Sequence, residues 1–149
     1  MGELEASWTA EIEAPIADVY AIAADVPNSP DWQPSLERVT TVETDDEGRA
    51  TLVDSEADAK VRTTKQRLRF SYDPPTGMSW VQEKGDVKSL VGSWTFTELG
   101  ADRTRAVYEL RVDPGRMLGM LLRGPVEGKV KEHLTRGAAE GLKRAAESG

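Results

Sequence analysis

Apolar and polar positions alternate without a break from Glu3 to Glu13. Leu4, Ala6, Trp8, Ala10 and Ile12 fall on one side, and Ser7, Thr9 and the glutamates at 3, 5 and 11 on the other. A period of two is that of a strand with one buried face. Pro15 follows, at the first-turn position that a helix tolerates best, and Ile16, Val19, Tyr20 and Ala23 give this helix an apolar side. A second short helix or turn is expected through Val26–Trp32, broken by Pro27, Pro30 and Pro34.

From Leu36 the strand pattern returns. Strands are predicted over 36–44, 48–57, 60–72, 77–84, 87–98 and 103–113. Turn chemistry separates them: Asp45-Asp-Glu-Gly48, Asp73-Pro-Pro-Thr-Gly77, Lys84-Gly-Asp86 and Gly100-Ala-Asp102. Alternation places Leu90, Gly92, Trp94 and Phe96 on one face, and groups Ala106, Tyr108, Leu110 and Val112 likewise. Leu68, Phe70 and Tyr72 share a face that carries Thr64 and Gln66 with it, while adjacent Leu52 and Val53 leave the parity of 48–57 open. Past Gly124-Pro125, which breaks any helix running through it, the period changes from two to between three and four. Val126, Val130, Leu134, Ala138, Leu142 and Ala145 then form one stripe of a long helix over 126–146. Such a helix buries its stripe against the sheet, and a long curved sheet need not be filled by it. The gap between them is where function is expected.

Bulk properties narrow the classes. A length of 149 residues suits one domain, 1–149, with a real core. The balance of 19 basic against 26 acidic residues, or −7, argues against nucleic acid and against an anionic membrane. Without cysteine there is no disulfide, thiolate nucleophile or thiolate metal site. No apolar run reaches the ~20 residues of a membrane span, and the N-terminus lacks the pattern of a signal peptide, so a cytoplasmic location is expected. Arg and Ala outweigh Lys and Ile, as in many GC-rich bacteria. No Gly-x-Gly-x-x-Gly, Walker loop, Gly-x-Ser-x-Gly elbow or His-Glu-x-x-His is present. One histidine cannot build a three-histidine zinc site, so neither metal nor cofactor is expected.

The order strand, two short helices, six strands, long helix, with Ala14-Pro-Ile-Ala-Asp-Val-Tyr20, Asp25-Val-Pro27 and Asp31-Trp32, resembles the START-like (SRPBCC) superfamily. Lys88-Ser-Leu-Val-Gly-Ser-Trp-Thr-Phe96, followed by Asp102-Arg-Thr-Arg105 and a strand, is similar to its bacterial polyketide cyclase/dehydrase and coenzyme-Q-binding-like branch. The resemblance covers the whole chain through loose, structural motifs. It implies an α+β helix-grip fold (START/Bet v-like). In that fold a seven-stranded antiparallel sheet wraps the long C-terminal helix, two short helices lie between strands 1 and 2, and an apolar cavity remains. Members bind lipids, sterols, quinones, polyketides or plant hormones there; some are aromatase/cyclases, others carriers or subunits of larger regulators. Fold alone does not choose among these.

The candidate cavity wall consists of Trp8, Trp80 and Trp94 at inward strand positions, with Leu68, Phe70, Leu90, Leu110, Val130 and Leu134. The same aromatics equally suit an ordinary core. Trp32, in a loop among prolines, is placed at the mouth. Gln66, Gln82 and Tyr108 read either as inward polar groups awaiting a ligand headgroup or as groups paired within the protein. His133, the only imidazole, reads as a cavity-facing donor or general acid/base, or as a boundary histidine partly in water. Met117-Leu-Gly-Met-Leu-Leu122 reads as a lid presenting Met117 and Leu121, or as a helical turn on the sheet edge. Gly137 and Gly141 flank the apolar stripe, where small residues let the helix approach the sheet or leave room for a ligand, while Gly128 suits the surface.

No catalytic residue is assigned, because one histidine and no cysteine leave no recognisable acid/base pair. The reading is a binder or carrier of a hydrophobic small molecule: a lipid, isoprenoid or polyketide-like compound. The rivals are a polyketide aromatase/cyclase, with His133, Tyr108 or Gln66 orienting carbonyls, and a protein-interaction or toxin–antitoxin-type module. Oligomeric state is open. A pocket of roughly 300–1,000 Å³ is expected, the usual ligand range.

Overall fold

A computed structural model of the chain describes residues 3–60 and 62–148; Val61, inside the strand expected over 60–72, lies outside them, as do Met1, Gly2 and Gly149. The order is β1 (Leu4–Ile12), α1 (Ile16–Ala24), a 3-10 helix (Val26–Asp31), β2 (Leu36–Thr44), β3 (Ala50–Asp58), β4 (Thr63–Asp73), β5 (Gly77–Gly85), β6 (Ser89–Gly100), β7 (Arg103–Asp113), α2 (Gly115–Leu121) and α3 (Pro125–Ser148). The seven strands form one sheet in the order β1-β7-β6-β5-β4-β3-β2. Every neighbouring pair is antiparallel. This is the START-like helix-grip fold that the family resemblance implies.

Local chemistry sets the ends that differ from expectation. β3 starts at Ala50 rather than 48, because Gly48 takes φ +82° in a turn closed by Asp45. The Asp45 carboxylate accepts from the backbone of Glu47 at 2.9 Å and of Arg49 at 3.0 Å. β4 starts at Thr63 rather than 60, because Lys60 sits at φ +70° with its N–H held by Asp58 Oδ1 at 2.8 Å. The ambiguous parity of β3 has a physical source. Both Leu52 and Val53 are buried beside register shifts in β2 between Thr41 and Thr44, and Val53, Ser55 and Ala57 form the inner row.

Two glycines set how closely layers approach. Gly92 on β6 faces Trp80 across the β5–β6 pair, and the indole lies where a Cβ on residue 92 would be. Gly141 on α3 receives the backbone carbonyl of Trp32; a Cβ there would overlap that oxygen. The expected stripe of α3 is buried at Val130, Ala138 and Leu142 and half-buried at Val126, Leu134 and Ala145. Thr135 and Ala139 widen the buried face. Gly124 at φ +73° and Pro125 separate α2 from α3, as their chemistry requires.

The apolar interior divides in two. A larger cluster joins Ile12, Val19, Tyr20, Phe96, Ala106, Ala138 and Leu142 under α1. A smaller one joins Val87, Leu118, Leu122 and Val130 beneath α2. No described helix is long and apolar enough to cross a membrane.

Candidate functional site

Between the two clusters, sheet, α3 and α2 enclose a cavity of about 130 Å³. The inward rows of β3 to β7 supply most of its wall: Val53 and Ser55, then Gln66, Leu68 and Phe70, then Trp80, then Leu90 and Trp94, then Tyr108 and Leu110. Alternation requires this, since every second residue of each strand points the same way. Val130, Leu134 and Thr135 of α3 form the facing side, and Leu118 and Leu122 close one end.

Aromatic rings crowd the wall. Trp80 stacks on Phe70 at 5.4 Å and tilts against Tyr108 at 5.6 Å; Trp94 meets Tyr108 at 4.7 Å. This crowding explains why the cavity falls below the expected 300–1,000 Å³. Large rings from four strands occupy space that smaller side chains would leave open, even though Trp80 is drawn back flat onto Gly92.

Few polar atoms face this interior. The Tyr108 hydroxyl oxygen accepts from Gln33 Nε2 at 3.4 Å, and among the described residues its own proton meets no acceptor. Burial pushes the Tyr108 phenol up to about 12, against a smaller opposing effect of Gln33, so it stays a donor at neutral pH. Gln66 is satisfied within the protein: Nε2 donates to Thr64 Oγ1 at 2.5 Å and Oε1 accepts from Ser55 Oγ at 3.4 Å. Ser29 Oγ donates to the Val26 carbonyl at 2.7 Å, and Thr135 Oγ1 to the Lys131 carbonyl at 2.8 Å. Tyr108 is therefore one wall group with hydrogen-bonding capacity to spare.

Ten of the residues singled out in the sequence line this cavity: Gln66, Leu68, Phe70, Trp80, Leu90, Trp94, Tyr108, Leu110, Val130 and Leu134. Five do not. Trp8 keeps its inward parity but is half-buried under Arg136 of α3, whose guanidinium lies 5.4 Å from the ring centroid; β1 reaches the cavity through Leu4 and Ala6 instead. Trp32 is not a mouth residue. Its carbonyl abuts Gly141 and its ring lies 6.2 Å from Trp94, so it wedges the loop onto α3. Met117 and Leu121 point outward at 83% and 54% exposure, while Leu118 and Leu122 face in. His133 stands beside the cavity, its Nε2 buried and 3.6 Å from Asp58 Oδ2. Gln82 is also outside the wall: its Nε2 donates to the Val87 carbonyl at 2.9 Å over the β5–β6 hairpin.

Sequence reasoning missed Gln33, Ser29 and Ser35, which the 3-10 helix and the loop after it bring to the wall. It missed Lys131 at the rim, which is paired with Glu127 at 3.1 Å.

The sequence model of the family described as polyketide cyclase/dehydrase and lipid transport matches residues 12–138. The chain belongs to that family. No curated protein sequence matches it. The fold of this family member recurs in solved structures. A START superfamily protein from Mycobacterium smegmatis is 18% identical with a TM-score of 0.83, over 97% of both chains. The Zhui aromatase/cyclase from Streptomyces sp. R1128 is 20% identical with a TM-score of 0.77, over 97% of this chain and 94% of its own. A protein from Thermus thermophilus is 22% identical, also with a TM-score of 0.77, over 95% of this chain and 99% of its own. At such identities the likeness concerns the fold. It places the family's sheet-and-helix grip around the cavity described above.

Proposed function

We propose that this protein binds a hydrophobic small molecule carrying one hydrogen-bond acceptor, held between the sheet and α3. The observation that carries this reading is the buried Tyr108 hydroxyl, whose proton meets no acceptor among the described residues, in a mostly apolar aromatic wall. A buried polar group without a partner is costly, and a ligand carbonyl or ether oxygen removes that cost. Size supports a choice of ligand. An engineered apolar cavity of about 150 Å³ takes up benzene, so 130 Å³ accommodates roughly one ring or a short isoprenoid segment. A longer lipid or polyketide enters only if α2 moves.

The enzymatic reading, polyketide aromatase/cyclase, has one observation of its own. Tyr108 and Gln33 form a pair of polar groups able to orient a ketone and favour its enol. It lacks a base: the only imidazole is outside the wall, and the Tyr108 phenol is held protonated. Binding is therefore the better-supported function.

The test is a panel of quinones, isoprenoids, fatty acids and aromatic polyketides, read by tryptophan fluorescence and thermal shift. Trp80 and Trp94 in the wall should report occupancy, and a ligand at a hundredfold excess over Kd adds about 2.7 kcal/mol of stability. A panel without any response sinks the proposal. Binding accompanied by turnover of a polyketone, abolished by Tyr108→Phe, moves it to the enzymatic reading.

A further inference from the structure

One surface remains unexplained by the cavity. On α2, Met117, Met120 and Leu121 are exposed by 83%, 62% and 54%. Their spacing of three and four residues puts them on one side of the helix, opposite Leu118 and Leu122, which face the interior. A soluble surface rarely groups large apolar side chains this way without an occupant.

The charges around this patch differ from those of the rest of the chain. Residues 115–131 contain Arg116, Arg123, Lys129 and Lys131 against Glu127 alone, four of the 19 cations but one of the 26 acidic residues. Arg116, Arg123 and Lys129 are exposed, and among the described residues none lies within 4.0 Å of a carboxylate. Lys88 projects beside Gly115. Asp113 accepts from the Gly115 N–H at 3.0 Å and lies 3.9 Å from Lys88 Nζ, and Asp86 accepts from the Lys65 N–H at 2.8 Å and lies 3.9 Å from Arg62, so the charge available to a partner is that of Arg116, Arg123 and Lys129.

We infer that α2 docks on an anionic lipid surface, with Met117, Met120 and Leu121 entering the headgroup–acyl boundary and Arg116 and Arg123 resting on lipid phosphates. Flexible apolar side chains flanked by arginines suit that boundary, where cations stay at headgroup level while apolar groups go deeper. A protein partner fits less well. Stable protein interfaces cover ~800 Å² a side, and this patch is three flexible side chains on a two-turn helix. The acidic remainder of the chain is repelled by the same surface, so docking occurs at this end alone. The inner face of α2 closes the cavity, so the docked end is the end through which a ligand passes. The docking itself does not depend on the ligand reading.

Co-sedimentation with phosphatidylcholine vesicles, with and without phosphatidylglycerol, tests the inference in the full chain. Binding to the anionic vesicles should exceed binding to the neutral ones at least ~tenfold and weaken as salt rises. The exposed triple variant Met117→Ser, Met120→Ser, Leu121→Ser and the pair Arg116→Gln, Arg123→Gln should each lose that binding while keeping the wild-type melting temperature. The absence of native cysteine allows a clean second readout: Met120→Cys carrying a polarity-sensitive dye should shift to the blue on anionic vesicles, and Glu47→Cys should not. No sedimentation with anionic vesicles at low salt, or sedimentation unaffected by both variants, overturns the inference. Sedimentation lost only in the arginine pair, with no dye shift, also overturns it and leaves the patch to an acidic protein partner.

Discussion

The two ends of the grip are built differently from the same helix. Toward its C-terminus α3 presents Ala138, Ala139 and Gly141, whose small size lets sheet, α1 and loop close directly upon it, with Leu142 filling the space between them. Polar contacts fasten that end. Lys143 Nζ donates to the Glu11 carbonyl at 2.7 Å, and Glu147 Oε2 accepts from the Glu13 N–H at 2.9 Å. Toward its N-terminus α3 presents Val130 and Leu134 to the cavity, and a separate short helix closes that end. Side-chain volume along one helix thus decides where the interior is solid and where it is hollow. Stability and binding are assigned to different ends, which mutations can separate.

The largest effect should come from Phe96→Ala. Phe96 is fully buried, edge-on to Tyr20 at 6.0 Å and stacked on Trp94 at 5.7 Å; its loss should cost ~3–5 kcal/mol in denaturant unfolding. A cost below ~1 kcal/mol would mean that the solid end is less packed than its geometry implies. Gly141→Ala comes next. Alanine favours a helix by ~1 kcal/mol, but its methyl collides with the Trp32 carbonyl, so a net loss of about 1–3 kcal/mol is expected. A stabilised variant would show that the loop moves away at little cost.

At the hollow end, Leu118→Ala should cost only about 1–2 kcal/mol, under the usual 2–5 for a packed leucine, because its neighbours border a cavity. Stopped-flow release of a bound ligand should accelerate in the same variant. If stability drops as far as for Phe96→Ala and release is unchanged, α2 is core rather than lid. The smallest effect on stability at neutral pH belongs to Tyr108→Phe, under ~1 kcal/mol, since it removes one long hydrogen bond. Its signature appears in alkali. The folded-state pKa of Tyr108 is raised, so its contribution to stability is complete below 10 and is lost as pH rises from 10 toward about 12, where the unfolded chain has released the proton and the folded one has not. Tyr20 and Tyr72 are raised too, by burial, so the fall should become shallower in Tyr108→Phe without vanishing. A pH profile unchanged by the substitution contradicts the burial of this phenol.

The periodic parts of this molecule are legible in its sequence. β2 and β7 fall at 36–44 and 103–113 as alternation predicts, and the inward rows of β4, β6 and β7 name most of the wall before any coordinates. Where periodicity stops, so does foresight. Met117-Leu-Gly-Met-Leu-Leu122 is apolar at nearly every position, so its composition does not tell which of its side chains face in, and the inward phase lies one residue from the expected one. The proline-broken loop carries no period, and Gln33 reaches Tyr108 through a turn that only three-dimensional closure defines. Trp32 escapes a local reading because the cue to its position, the glycine at 141 on α3, lies at the far end of the chain. The wall inferred from strand parity remains a proposal for ligand contact; its geometry is what alternation predicts.

The contact of Trp80 with Gly92 makes the size of the chamber adjustable from outside its lining. A single methyl added at position 92 cannot coexist with the indole in its present place, so the ring would have to swing off the strand into the empty space. Residue 92 thus works as a set-screw for capacity: a side chain there drives the Trp80 ring, with its neighbours Phe70 and Tyr108, toward the open space. A variant library at this position would therefore grade the chamber by volume without changing the chemistry of its lining.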